Sequence, residues 1–375
     1  QMQAKAKNML YDWFVTFRKE GFTEWNSSPY LPIDTLGFGS LYAFAQDPAM
    51  RELGREGMDF AYYLLAVHSQ QGIFASSSGR TYIKEQFGNW SNCPSGLSWI
   101  GYGYGVPGHA GKGITSYCLS DYEPPKEFAQ WFSIPRGKEM ICQTTQGNDG
   151  YVDLYTYKTA DYMMTSANDF HPGEPGHQEN PFQLTFNAVA QLWVTHPGER
   201  VLFGAARPSY WAGNGTLPKV NQYKAFAGLI YDIAPEHPVD FTHLYLPSME
   251  FDRCEVEGKW AFVQLGSAYA AVYCSNGMRM QDFGSNKDRE CIAEGRRCIW
   301  LVRAAQADEF AAFEDFKAAM RGAALDADAE GRRYRFVDPV YGELRCQWGE
   351  TLYVNDAPMQ YSGFDNYGKL TMQEK

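Results

Sequence analysis

Apolar residues near the start of the chain recur with the period of an α-helix. The stretch 10–17 places three large apolar side chains on one helical face, and Gly21 follows as a stop signal. A shorter helix is predicted over residues 33–45. Asp47 followed by Pro48 is a cap with proline at the first helical position, so a long third helix is predicted to begin there.

From about residue 128 the pattern changes to alternation with a period of two. Such runs, separated by turn residues, are typical of antiparallel sheets. One further helix is predicted after Asp308, and the polar tail after Val354 is expected to be loosely held. The clearest predicted strands are 152–157, 192–195, 260–265, 270–274 and 298–302.

Helices therefore come first and strands second, which predicts an α+β protein with more than one domain. We place the helical domain at residues 1–127 and an antiparallel β-sandwich at residues 128–375. The helical part is short and begins in mid-pattern. We expect it to be completed by a missing N-terminal segment or by a second chain, and assembly into a homo-oligomer stays open.

Composition narrows the class of partner. Of the 375 residues, 45% are hydrophobic and 21% are charged, which predicts a folded chain with a large core. The net charge of −11 comes without a basic run, so we expect no nucleic acid partner. No apolar run is long enough to span a bilayer and no signal peptide is visible, so no membrane partner is expected and the compartment stays open.

A polar loop in the middle of the chain carries candidate chemistry. It holds His171, Glu174, His177 and Glu179 among prolines and glycines, and it leads directly into the alternating run 182–186. Functional side chains are often placed on loops that a rigid sheet holds. The alternative is that the prolines and glycines only shape a long turn, which the histidines cap.

Two loops near the N-terminus form a second candidate cluster. The first exposes Asn26 after the first helix, and the second carries Arg80 and Tyr82 among small residues. Asn26 and Tyr82 are 56 positions apart, and the helices between them return the chain to the same end of a helical layer. We therefore expect both loops to face one cleft.

These residues carry a resemblance to the heparinase II/III-like polysaccharide lyases and their alginate-lyase relatives. Asn26, Tyr82 and His177 match the family's Asn, Tyr and His positions, Gly176-His-Gln-Glu-Asn-Pro resembles its entry into the sandwich, and Thr195-His-Pro-Gly resembles the turn that follows. The resemblance implies a partial (α/α) toroid followed by a β-sandwich. The interval before His177 is short for the family, so His171 and His177 both remain candidates.

The resemblance implies β-elimination at a uronic acid, with an acidic polysaccharide or oligosaccharide as substrate. Tyr82 is expected to transfer the proton, Asn26 to neutralise the carboxylate with support from Arg80, and His177 to act as base or stabiliser. No cofactor is required for this chemistry. The expected substrate-binding residues are Trp25, Tyr30, Trp90, Tyr104, His171 and Glu179, of which the aromatic ones offer ring faces for sugars.

A structural zinc or calcium ion in the sandwich is a further alternative, with His177, His196 and His243 as candidate ligands. Two rival functions also stay open. A glycoside hydrolase needs two carboxylates facing one sugar, for which Glu24 and Asp34 are the nearest candidates. The other rival is a carbohydrate-binding protein without catalytic activity.

Overall fold

The helices of the protein lie mainly in the first third of the chain. The structure is a computed structural model that describes residues 2–88, 92–107, 112–147, 152–202 and 204–375. In these ranges, no helix is both long and apolar enough to cross a membrane. The helices are α1 (Met2–Glu20), α2 (Leu31–Phe44), α3 (Pro48–Val67), α4 (Ile83–Gln86), α5 (Ser95–Tyr102), α6 (Ile114–Cys118) and α7 (Phe313–Gly322), with 3-10 helices at Lys126–Trp131 and Ser248–Glu250.

The first three helices begin and end near the expected signals. Gly21 follows α1 with a φ of +65°, a conformation that glycine adopts without steric cost. Before α3, the Asp47 side chain accepts a hydrogen bond from the backbone N–H of Ala49 at 3.0 Å. The predicted cap at Asp308 is wrong, because α7 begins later and its N-cap is Ala312.

The strands form antiparallel sheets of nine, six, five and two strands. The nine-stranded sheet has the order β14 (Arg279–Met280), β15 (Glu290–Glu294), β10 (Phe241–Tyr245), β7 (Gln191–Thr195), β6 (Phe182–Thr185), β5 (Met163–Asn168), β4 (Val152–Lys158), β3 (Lys138–Gln146) and β22 (Lys369–Glu374). The six-stranded sheet has the order β11 (Arg253–Glu257), β12 (Trp260–Leu265), β13 (Ala268–Cys274), β16 (Arg297–Gln306), β9 (Phe226–Asp232) and β8 (Lys219–Tyr223).

The two smaller sheets are meanders. The five-stranded sheet contains β17 (Leu325–Asp328), β18 (Arg333–Asp338), β19 (Gly342–Gln347), β20 (Tyr353–Val354) and β21 (Ala357–Pro358), and the two-stranded one pairs β1 (Ser69–Gln70) with β2 (Ile73–Phe74). The expectation of a loosely held tail is wrong in part, because β22 pairs with β3 over six residue positions.

The main core lies between the nine-stranded and six-stranded sheets. Strands of both sheets contribute buried side chains to a single apolar cluster, for example Leu184 and Val194 from one and Leu229 and Val302 from the other. Helix α7 adds Phe316 to this cluster. Such burial is the main source of stability in a domain of this size.

A second core joins the helices to one edge of the nine-stranded sheet. Phe14, Phe60 and Leu64 of the helices share it with Met140 and Cys142 of β3. Part of the apolar surface of α1, α2 and α3 is therefore buried among the helices and against the sheet, whereas Trp13, Ile33 and Leu36 stay at least 41% exposed.

The prediction of a partial (α/α) toroid followed by a β-sandwich is wrong. The described residues are mostly β, with 22 strands in four antiparallel sheets, and their helices form no toroid. The physical reason is that the early helices share their core with β3 of the nine-stranded sheet, so the sheet covers apolar surface that a ring of helices covers in a toroid. The expected boundary between residues 127 and 128 stays a prediction, and it falls inside the 3-10 helix at Lys126–Trp131.

Candidate active site

The loop between α1 and α2 is hydrogen bonded to the loop that follows β2. The N–H of Gly79 donates to the carbonyl of Trp25 at 2.8 Å, and the Ser27 hydroxyl donates to the carbonyl of Arg80 at 3.1 Å. A Cβ at Gly79 would lie 2.6 Å from the Trp25 ring nitrogen, so only glycine allows this close approach. The two loops that the sequence analysis selected therefore lie side by side.

The same second loop is paired with the segment that carries His177. Ser78 and Asn180 form an isolated antiparallel bridge, with N–H to carbonyl distances of 2.9 and 2.8 Å. The N–H of Thr81 donates to the carbonyl of Gln178 at 3.0 Å. Backbone hydrogen bonds thus join three segments that are far apart in the sequence.

A cluster of charged and phenolic side chains lies where these segments meet. The Tyr82 hydroxyl is 3.1 Å from the Tyr30 hydroxyl and accepts a hydrogen bond from Arg80 Nη2 at 3.2 Å. Arg80 Nη1 donates to Glu24 Oε1 at 2.8 Å. The guanidinium of Arg207 lies 5.7 Å from the centre of the Tyr82 ring. We call these five residues the Tyr82 cluster.

Electrostatics in the Tyr82 cluster favour the ionised form of Tyr82. Its pKa is lowered because the Tyr30 hydroxyl donates to its oxygen, and the guanidinium groups of Arg80 and Arg207 add to this effect. The pKa of Tyr30 is raised by the same hydrogen bond. Tyr82 is only partly buried, so a ligand can reach its hydroxyl.

A second carboxyl group belongs to the same neighbourhood. Burial, together with the smaller effect of the Glu24 charge, raises the pKa of Asp34 to about 7. Asp34 also lines a groove of about 420 Å³ between α1 and α2, whose walls include Trp13 and Phe38. Near neutral pH the site thus holds one protonatable carboxyl group and, in Glu24, one that is paired with Arg80.

The other two predicted catalytic residues in these loops, Asn26 and His177, differ in their exposure to solvent. Asn26 is 1% exposed with a φ of +48°, and its Nδ2 donates to the carbonyl of Ser77 at 3.4 Å while its Oδ1 has no partner within the described chain. His177 is exposed, and its N–H donates to the half-buried Glu179 carboxylate at 2.5 Å. Asn26 therefore supports the loops, whereas His177 is open to solvent beside them.

The predicted sugar-binding residues also differ in exposure: some pack in apolar cores and others are open to solvent. Trp25 is 2% exposed and packs against apolar residues of β4 and β5, so its ring faces are covered. Tyr104 packs on Phe132 in the helical core and donates to the Phe132 carbonyl at 2.8 Å. His171 is exposed, with Nδ1 at 3.4 Å from a carboxylate oxygen of its neighbour Glu174. Tyr30 belongs to the Tyr82 cluster.

Trp90, the remaining predicted sugar-binding residue, lies outside the residues that the structure describes.

Of the three candidate metal ligands, His177 is exposed on its loop, whereas His196 and His243 are buried near each other. His196 is buried, burial lowers its pKa to about 3, and its Nε2 is 3.1 Å from the Val239 carbonyl. His243 donates from Nδ1 to Glu290 at 2.7 Å, inside an aromatic cluster. In the part of the chain that the structure describes, no group of three or more His, Cys, Asp or Glu residues could hold a metal ion.

Two residues of the Tyr82 cluster were not expected in these roles. Arg207 was not selected at all, and Glu24 was considered only as a hydrolase carboxylate. A single arginine before Pro208 gives no periodic or motif signal. The position of Arg207 beside Tyr82 depends on the tertiary structure, so no local sequence pattern could have indicated it.

The chain was compared with known proteins at three levels. No family model, no curated protein and no solved structure matches it. The function therefore has to be inferred from the residues and the geometry described above.

Proposed function

We propose that the protein is a polysaccharide lyase that cleaves a uronic-acid-containing chain by β-elimination. The observation that carries the proposal is the partly exposed Tyr82 hydroxyl, which lies between Tyr30 and Arg80 with Arg207 over its ring. This environment lowers the pKa of Tyr82, so the phenolate is available as a base. The resemblance to heparinase II/III-like lyases in the three loops supports the same role for Tyr82.

In the proposed reaction the Tyr82 phenolate removes the proton at C5 of the uronate. The electron pair left on C5 delocalises into the adjacent carboxylate, which nearby positive charge stabilises. It then forms the C4–C5 double bond as the glycosidic C4–O bond breaks. The proton on Tyr82 passes to the leaving oxygen, which restores the phenolate and balances the reaction.

The neighbours of Tyr82 have distinct tasks in this scheme. Arg80 stabilises the phenolate, and its ion pair with Glu24 fixes the guanidinium beside the phenol oxygen. His177 is exposed on the paired segment, and we assign it to contact with the bound sugar. Asn26, which the resemblance assigns to the carboxylate, is buried here, so we assign it to holding the loops in register.

The test is a screen of uronate polymers, followed by the absorbance of the unsaturated product. Replacing Tyr82 by Phe should reduce the rate by about 10²–10⁴-fold, because the general base is lost. Tyr353→Phe in β20 is the control, since it removes a phenol hydroxyl from the five-stranded sheet. Full activity of Tyr82→Phe would falsify the assignment of the base.

A glycoside hydrolase is the second candidate, and the carboxyl pair favours it. Asp34 has a pKa of about 7 and can donate a proton, and Glu24 supplies the second carboxyl group. This candidate predicts new reducing ends without a new double bond. It also predicts that Asp34→Asn abolishes activity, whereas a lyase should keep most of its activity in this variant. Tight binding without any turnover would instead favour a carbohydrate-binding protein.

A further inference from the structure

Arg207 differs from the other arginine in the Tyr82 cluster because no carboxylate of the described residues pairs with it. Arg80 forms an ion pair with Glu24 at 2.8 Å. Arg207 is exposed, and within the described chain it makes no ion pair or hydrogen bond. Its guanidinium is therefore the cation of the Tyr82 cluster that remains available to a ligand.

The described residues at the two ends of the loop that carries Arg207 contact each other. The N–H of Gly198 donates to the Ser209 carbonyl at 3.0 Å, and the Glu199 carboxylate accepts the N–H of Ala206 at 3.0 Å. A Cβ on Gly198 would lie 2.3 Å from the Pro208 carbonyl oxygen, so the two ends of the loop are in close contact. Arg207 thus projects from a loop that is closed at its base.

Arg200 on the same loop offers a direct comparison. It is also exposed, but its Nη2 donates to Asp240 at 2.5 Å and its guanidinium lies 5.4 Å from the Phe241 ring centre. The loop therefore presents two arginines, one satisfied by a carboxylate of the protein and one directed at Tyr82. A carboxylate on a ligand would give Arg207 the partner that Asp240 gives Arg200.

We infer that Arg207 binds the carboxylate of the sugar next to Tyr82 and thereby selects acidic over neutral saccharides. The inference rests on the proposed function, since it places a uronate at Tyr82. A guanidinium can hold a carboxylate through two parallel hydrogen bonds, which fixes the orientation of the sugar as well as its charge. The same contact would withdraw charge from the carboxylate as the C5 proton leaves.

The test compares two oligosaccharides of one linkage, a sulfate-free oligouronate and the same oligomer with its carboxyl groups reduced to alcohols. Binding is measured by calorimetry on the Tyr82→Phe protein, in which turnover should be slow. We expect this protein to prefer the acidic oligomer by about tenfold or more, and Arg207→Ala added to it to abolish the preference. Arg207→Lys, which keeps the charge but not the planar fork, should restore part of it.

Arg200→Ala in the same background is the matched control and should keep the preference. If Arg207→Ala leaves the preference intact, or weakens both oligomers equally, the inference is overturned. If, in addition, the wild-type protein releases unsaturated product, the lyase proposal stands and only the inference about Arg207 is rejected. If the preference depends on Arg207 but wild-type protein forms no unsaturated product, the inference stands and the lyase proposal fails.

Discussion

Two phenol oxygens 3.1 Å apart share one hydrogen bond in the candidate site. Which of them ionises first depends on the cations around each. Arg80 donates to Tyr82, and Arg207 also lies over the Tyr82 ring, so the negative charge is favoured on Tyr82 and the proton stays on Tyr30. In the proposed reaction, Tyr30 is therefore a positioning residue that acts through the acidity of Tyr82.

Replacing Tyr30 by Phe should move the pH dependence of activity upward. The variant lacks the donor that lowers the pKa of Tyr82, so more alkaline conditions are needed to form the phenolate. A hydrogen bond to a charged group contributes about 1.5–3 kcal/mol, which corresponds to a shift of roughly one to two pH units. The measurement is the ascending limb of kcat/KM against pH.

Tyr104→Phe is the control, because its hydroxyl donates to a backbone carbonyl in the helical core. Its profile should match that of the wild-type protein. An unchanged profile for Tyr30→Phe would show that Tyr30 has no influence on the ionising group.

At the scale of single residues, the sequence indicated which loops lie close together more readily than which side chains are in contact. The expectation that the Asn26 and Tyr82 loops share one side agrees with their hydrogen bonds, because helices of known length determine where a chain returns. The catalytic roles stay predictions. Arg207 was missed because its position depends on how a distant loop closes, which no local pattern encodes.

Among the secondary structure elements, β4 ends in a lysine that joins the ends of two helices. Lys158 is fully buried, and its Nζ donates to the carbonyl of Ala66 in the last turn of α3 and to that of Trp131. Trp131 is the last residue of the 3-10 helix at Lys126–Trp131. Carbonyls at helix ends lack partners within the helix, so Lys158 satisfies groups that burial would otherwise leave unpaired.

Replacing Lys158 by Met should lower the free energy of unfolding at pH 7 by about 2 kcal/mol. Methionine fills the volume, but it leaves two buried carbonyls without a donor. The measurement is urea unfolding followed by circular dichroism. Lys369→Met, at an exposed position of β22, is the control and should change the stability by less than about 0.5 kcal/mol.

The same pair of proteins tests the ionisation of Lys158. Burial lowers its pKa to about 7, below the ordinary value of 10.5. Between these values the unfolded chain holds a proton that the folded chain lacks, so this lysine makes stability rise with pH above about 7. Lys158→Met should have a flatter profile between pH 7 and 9, and an equally steep one would contradict the assignment.

Elements with strong periodicity were predicted well, and elements that depend on distant partners were not. The predicted strands 260–265 and 152–157 correspond to β12 and β4, because alternation is a local signal. β22 was not predicted, since its strand character comes from pairing with β3 more than 200 residues earlier. The later start of α7 was missed because Asp308 offers a capping side chain, whereas the observed N-cap, Ala312, makes no side-chain cap hydrogen bond.

On the scale of the whole molecule, residues 366–370 near the C-terminal end contact the early helices. The Asn366 side chain donates to the Phe17 carbonyl at 3.1 Å, and the Tyr63 hydroxyl donates to the Tyr367 carbonyl at 2.6 Å. Leu370 of β22 packs on the helical core. The error in fold class has the same origin, because the pattern of a helix shows that one face is buried but does not show which surface covers it.

These contacts predict that helices and sheets unfold together. Leu370→Asp places a carboxylate against the helical core, which should lower the free energy of unfolding by about 2 kcal/mol. Because β22 contacts both the helices and β3, the midpoints seen by circular dichroism and by tryptophan fluorescence should decrease together. Lys369→Asp, at the adjacent exposed position, introduces the same residue outside the core and should have little effect. Two separate transitions, with only one shifted by Leu370→Asp, would instead mean that the two predicted domains, residues 1–127 and 128–375, unfold independently.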